Sequence, residues 1–202
     1  MPKIDQFESQ FRGAAKEIYS WSPVVTQRVV VFTDLERDKL KSFGEQVERF
    51  LTRLGAAEER ELRLVPGAEC CTIGDVLAIV QNHRPDLVVT YRNLHSGAWR
   101  WPYSLSDHLE VLTQVTPVPV LLLPRPGADG AWEGAADAAE EGAVMALTGH
   151  LAGDARLVDW AVAFALDGGR VVLSHVEDEQ AFDRYMDVIG RVPEIDSELA
   201  RQ

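Results

Sequence analysis

The chain has no long hydrophobic run. None of its apolar stretches approaches the ~20 residues that a membrane-spanning helix needs, so no membrane role is expected. Positive charge is also scarce: 20 Lys and Arg stand against 32 Asp and Glu, a formal net charge of −12 over 202 residues. Such a chain lacks the basic footprint of a nucleic-acid binder. Cysteine is nearly absent. Cys70 and Cys71 are adjacent, and adjacent cysteines rarely bridge, so two free thiols in a reducing cytoplasm are expected. The first residues, MPKIDQFESQF, carry no signal-peptide pattern. Several enzyme signatures are missing as well: there is no Walker lysine loop, no GxSxG, no CxxC and no HExxH. His150 and Asp154, in TGHLAGD, lack a third ligand at a fitting spacing, so no metal site is expected.

What is present is a hydrophobic fraction of 46%, enough for a real core, in a length that suits one large domain or one and a half small ones. Phe7, Phe11, Ala14 and Ile18 follow a helical period and predict an amphipathic helix ending before Ser22-Pro23. Residues 28–33, RVVVFT, read as a buried strand closed by Asp34. Leu40, Phe43, Val47, Phe50, Leu51 and Leu54 form a helical stripe that Gly55 stops. ELRLV, residues 61–65, alternates as a strand near a sheet edge does. Ile73, Val76, Leu77 and Val80 mark the next helix, which ends before Arg84-Pro85, and the two cysteines read as small residues opening it. After a linker-like stretch at residues 125–142, rich in Pro, Gly, Ala and acid and containing Trp132, the alternation restarts. VMALT (144–148) and RVVLSHV (170–176) read as strands. Leu157, Trp160, Ala161 and Phe164 mark a helix with Asp154 a plausible N-cap, and residues 177–190 can form another around Phe182, Met186 and Ile189. Strands alternating with helices predict an α/β fold, a doubly wound parallel sheet with helices on both faces. The expected division is a domain at 1–124, the linker, and a partial unit at 143–202 whose two strands either begin a second domain or complete the first sheet.

The most informative stretch is residues 87–124, LVVTYRNLHSGAWRWPYSLSDHLEVLTQVTPVPVLLLP. Two near-continuous apolar runs flank a polar, aromatic loop and a helix expected to open near Ser104. Runs of that kind suit parallel strands covered on both faces, and ligands in open α/β sheets bind where loops leave the carboxyl ends of strands. The loop carries Arg92, His95 and Arg100 with Tyr91, Trp99, Trp101 and Tyr103. Arginines beside aromatics suit a planar anionic ligand and equally suit a packed or interface loop. Ser104 with Asp107 reads as an N-cap and its acidic partner. Asp34 reads either as an N-cap for the helix from Glu36 or as a ligand contact.

HRPDLVVTY followed by YSLSDHLEVLTQVTPVPVLLL resembles the universal stress protein family, whose pattern is a strand ending in Gly-x-x-Gly, a loop, a Gly-Ser/Thr that opens a helix, and a Pro-Val-Leu strand. VMALTGHLAGDARLVDWAVAFALDGGRVVLSHV looks like the start of a second, incomplete copy. The resemblance implies an adenine nucleotide alpha hydrolase-like fold, dimerisation and a role in stress response. In ATP-binding members glycines admit the triphosphate to the backbone; here Tyr91, Leu94 and Tyr103 stand at those positions, the loop is about a residue short, and only Ser104 matches. Asp34 matches the nucleoside-contacting acid if residues 28–33 are the family's first strand, while Thr148 stands there in the second unit. An alternative register makes residues 28–33 the second strand, with residues 144–148 supplying the first. The expectation is therefore a cytoplasmic, non-enzymatic, homodimeric module with a degenerate nucleotide loop, no required cofactor and no catalytic residue. It would bind a protein partner or a small anionic ligand around Asp34, Tyr91, Arg92, Leu94, Arg100, Tyr103 and Ser104. Two alternatives stand beside it: an ATP-binding protein with slow phosphohydrolase activity through Asp34 and Ser104, and a sensor of another anionic metabolite held by Arg92 and Arg100.

Overall fold

The structure is a computed structural model that describes residues 19–54, 60–97, 101, 103–127, 143–149, 155–165, 169–176 and 178–191. The helix expected over Phe7–Ile18, and Gly55, Trp99, Arg100, Trp132, His150 and Asp154, lie outside the described residues. The chain divides into two compact units, Val24–Gly142 and Met1–Pro23 with Ala143–Gln202.

In the first unit, four strands make one parallel sheet: β1 (Arg28–Phe32), β2 (Glu61–Val65), β3 (Leu87–Tyr91) and β4 (Val120–Leu123), in the order β2-β1-β3-β4. β-branched and aromatic residues dominate the two inner strands, and their burial follows. Val29, Val30, Val31 and Phe32 are buried, as is every residue of β3. Helix α1 (Arg37–Leu51) lays Leu40, Phe43, Val47 and Leu51 on the sheet, four of the six residues of the stripe read from sequence, while Phe50 and Leu54 are half-buried. Gly44 is where α1 approaches β2, since a Cβ there would meet Leu64 Cδ1 at 2.7 Å. Helix α2 (Ile73–His83) starts at a complete capping box, with Thr72 Oγ1 accepting the Asp75 N–H and Asp75 accepting the Thr72 N–H. It ends at Arg84, whose φ of 45° closes the helix in the left-handed region. Helix α3 (Asp107–Val115) packs against α2. The chain moves outward to β2 through α1 and returns to β3 through α2, so right-handed crossovers place α1 on one face and α2 with α3 on the other.

This order bears on the slot that the second register requires. If residues 28–33 were a second strand lacking its first, a slot would lie between them and β3. Instead β1 pairs directly with β3, Val29 opposite Leu87 through Val31 opposite Val89. β1 is the strand from which the sheet grows both ways, and the reversal of winding falls between β1 and β3. No strand, residues 144–148 included, therefore stands between β1 and β3 as the missing-strand register would have it.

In the other unit, β5 (Val144–Thr148) and β6 (Val171–His175) form a two-stranded parallel sheet of their own, joined through α4 (Ala155–Phe164) and followed by α5 (Glu179–Ile189). Among the described residues β5 and β6 pair with each other and with no strand of the first sheet, so the option that they complete that sheet is not realised. Tyr19 and Ser22, placed with the first domain from sequence, belong here: Asp159 on α4 accepts the Tyr19 hydroxyl at 2.8 Å and the Ser22 N–H at 3.1 Å. Among the described residues, no helix is long and apolar enough to cross a membrane.

Candidate functional site

The carboxyl ends of β1 and β3 meet at the point where the winding reverses, the position at which open α/β sheets bind ligands. Asp34 leaves β1 there and Tyr91 ends β3. The Tyr91 hydroxyl donates to Asp34 Oδ1 in a short hydrogen bond and accepts the Asp34 N–H at 2.8 Å. The His95 N–H reaches Asp34 Oδ2 at 3.1 Å. Arg125, two residues past β4, completes the set: its Nη2 lies 3.2 Å from each Asp34 oxygen, and its Nη1 donates to the Asn93 carbonyl at 3.3 Å. The guanidinium also lies over the Tyr91 ring, 5.3 Å from its centroid. The Asp34 side chain is only 15% exposed, so a carboxylate drawn out of water here requires such partners.

Tyr91 is itself locked. Its ring is fully buried and meets Phe43 edge-on at 5.6 Å. Burial, then the hydrogen bond to Asp34, pushes its hydroxyl pKa well above the usual tyrosine range, so it stays a donor. Beneath this group Cys70 packs against His95, Sγ to Nε2 at 3.6 Å. Burial, followed by the neighbouring Cys71, pushes the Cys70 thiol up to about 12, so it is a neutral packing group rather than a nucleophile. The His95 ring lies 5.4 Å from that of His108, and burial lowers its pKa. Gly67 permits this closeness: a Cβ there would stand 3.0 Å from Asp34 Cα and 3.1 Å from His95 Cε1.

The loop after β3 differs from the sequence reading in its backbone. Left-handed φ angles occur at Asn93 (67°), His95 (53°) and Ser106 (79°), whereas Tyr91 and Leu94, read as glycine substitutes, take ordinary conformations. Tyr91 continues the strand, and Leu94 is 1% exposed in the core. Ser106, with ψ 155°, occupies a region that is essentially glycine's. The helix expected to open near Ser104 starts at Asp107, with Ser106 at its N-cap and no side-chain cap. Ser104 Oγ instead accepts the Ser106 N–H at 3.2 Å. The cap assigned to Ser104 is thus corrected: two further residues are needed to bring the chain back to Asn93, whose N–H bonds the Leu105 carbonyl at 3.1 Å. Asp34 does not cap α1 either. Glu36 holds that position, and the Asp34 carboxylate is turned toward Tyr91, His95 and Arg125.

Of the predicted site residues, the fold brings together Asp34 and Tyr91. Leu94 goes into the core, Arg92 is half-buried, Tyr103 is 97% exposed, and Arg100 lies outside the described residues. The arginine on Asp34 is Arg125, which composition assigns to the linker. Its position was the available signal, because a residue just past β4 stands at the same sheet end as Asp34 once the strands are parallel. Among the described residues, no three His, Cys, Asp or Glu side chains are grouped to hold a metal ion. A cavity of about 50 Å³ lies at the opposite sheet end, lined by Arg28, Glu61, Arg63 and His83, room for a few waters. Comparison with protein-family models, curated proteins and solved structures finds no match to this chain.

Proposed function

We propose that this chain is a universal stress protein-like, non-enzymatic module of the cytoplasm, homodimeric and acting in stress response through partner binding, whose nucleotide crevice is closed by its own side chains. The carrying observation is the saturation of Asp34. Tyr91, His95 and Arg125 fill both carboxylate oxygens, which leaves no ready acceptor for a ribose hydroxyl. Tyr91 and Arg125 occupy the sheet end at which open α/β sheets bind ligands. The helix end that would face phosphate carries Asp107 and Glu110 in its first turn, and negative charge there opposes an anion. The strand order supports the family reading, since it makes Asp34 the acid at the end of the central strand.

Calorimetric titration of the full chain with ATP and magnesium tests this. No heat of binding is expected up to millimolar nucleotide. A dissociation constant below ~1 μM, or phosphate release abolished by Ser104→Ala, would replace this reading with nucleotide binding and hydrolysis.

A further inference from the structure

We infer that the crevice between the ends of β1 and β3 is a guanidinium-binding site, occupied in cis by Arg125. The inference rests on the closed-crevice reading and names what the crevice accepts. Three different groups meet the one side chain: the Asp34 carboxylate at 3.2 Å, the Asn93 carbonyl at 3.3 Å and the Tyr91 ring face at 5.3 Å. A carboxylate alone would take any cation. A carboxylate, a carbonyl and an aromatic face arranged around one planar group select guanidinium over ammonium, which has no plane to stack and no fork to divide between acceptors.

Each of the three is held by bonds that do not involve Arg125. The Tyr91 ring is fixed by Phe43 and by its hydroxyl on Asp34. Asn93 sits at φ 67° with its N–H on the Leu105 carbonyl, and that conformation presents its own carbonyl to the site. Asp34 Oδ2 is fixed by the His95 N–H. The receptor is therefore built by β1, β3 and the loop after it, while the ligand arrives from beyond β4, 91 residues after Asp34. Pro124 and Pro126 flank Arg125, and Pro126 is buried. Two fixed φ angles lower the entropy lost in presenting the side chain. Pro-Arg-Pro thus acts as a tethered ligand, and the class of free ligand or partner group the site takes is an alkylguanidinium, such as an arginine side chain.

The test is chemical rescue of Arg125→Ala in the full chain. Its melting temperature is expected to fall by about 4 °C or more. Methylguanidinium is expected to restore part of that loss saturably, with half-effect on the order of 10 mM as befits so small a fragment. Methylammonium at equal ionic strength should restore none, wild type should not respond, and the rescue should vanish in R125A/D34N. An unchanged melting temperature, equal rescue by both cations, or rescue persisting without Asp34 would overturn the site. Should R125A not fold, nitrogen-15 spectra of wild type decide: resolved Nη signals for Arg125, reporting hindered Cζ–N rotation, support it, and a single averaged signal overturns it. ATP binding by wild type would defeat the closed-crevice reading. Failed rescue while ATP stays silent would defeat the guanidinium site alone.

Discussion

The two sheets are built from strands of similar composition and end in different states. RVVVF and LVVTY in the first unit are buried along nearly their whole length, with Arg28 the one exposed residue of the two strands. VMALT and VVLSH in the other carry one buried residue between them, Ala146. Met145, Leu147 and Leu173 are 62%, 56% and 66% exposed. The cause is neighbours. β1 and β3 each have a strand on both sides and helices over both faces, while β5 and β6 each have one partner strand among the described residues. An apolar run states that a strand is fit to be buried. Whether it is buried depends on how many elements the chain brings to it.

The largest test of that comparison is a pair of truncations. Phe32→Ala, at a fully buried position, should cost about 3–5 kcal/mol. Leu173→Ala should change stability by no more than about 0.5 kcal/mol, as exposed substitutions do. Urea denaturation of the full chain reads both. Similar losses would break the contrast and mean that the second sheet is covered in solution.

A smaller effect sharpens the picture within the better-packed unit, where strain is concentrated in the loop after β3. Ser106 holds a backbone conformation suited to glycine, and its buried Oγ has no hydrogen-bond partner among the described residues. Ser106→Gly should therefore stabilise the protein by about 1 kcal/mol, the relief of strain exceeding the added unfolded-state entropy. A loss of stability in the same denaturation experiment would count against the strain.

The smallest expected effect is a pH dependence confined to the first unit. Burial holds the His95 pKa below its ordinary value of 6.5, against an opposing pull from Asp34. The folded protein then binds this proton less readily than the unfolded chain. Stability from this group is complete above about pH 6.5 and falls as pH drops below it toward the folded pKa. His95→Gln should flatten that slope between pH 7 and 5. An unchanged slope would remove His95 as its source.

Much of this was legible in advance. Leu40, Phe43, Val47 and Leu51 announced α1, and ELRLV announced an edge strand, because periodicity reports which face a side chain seeks. The site was half legible. Asp34 was legible as the residue that closes a strand and Tyr91 only as one of the aromatics of the loop, and their partnership was not legible, because 57 residues separate them and only sheet order brings them together. Arg125 was hidden by its surroundings: Pro, Gly and Ala around it read as linker, and composition does not register a single side chain folded back. The glycine-like positions shifted from Tyr91, Leu94 and Tyr103 to Asn93, His95 and Ser106, since loop dihedrals follow from closure between fixed ends rather than from residue count.

Sequence alone determined the alternation of strands and helices, the parallel α/β class and the acidic surface, all of which follow from local periodicity and charge. Tertiary structure decided that β1 lies beside β3, that Asp34 is saturated by Tyr91, His95 and Arg125, and that β5 and β6 stand as a pair. Those outcomes depend on which distant segments become neighbours, a choice made by the burial of whole faces at once.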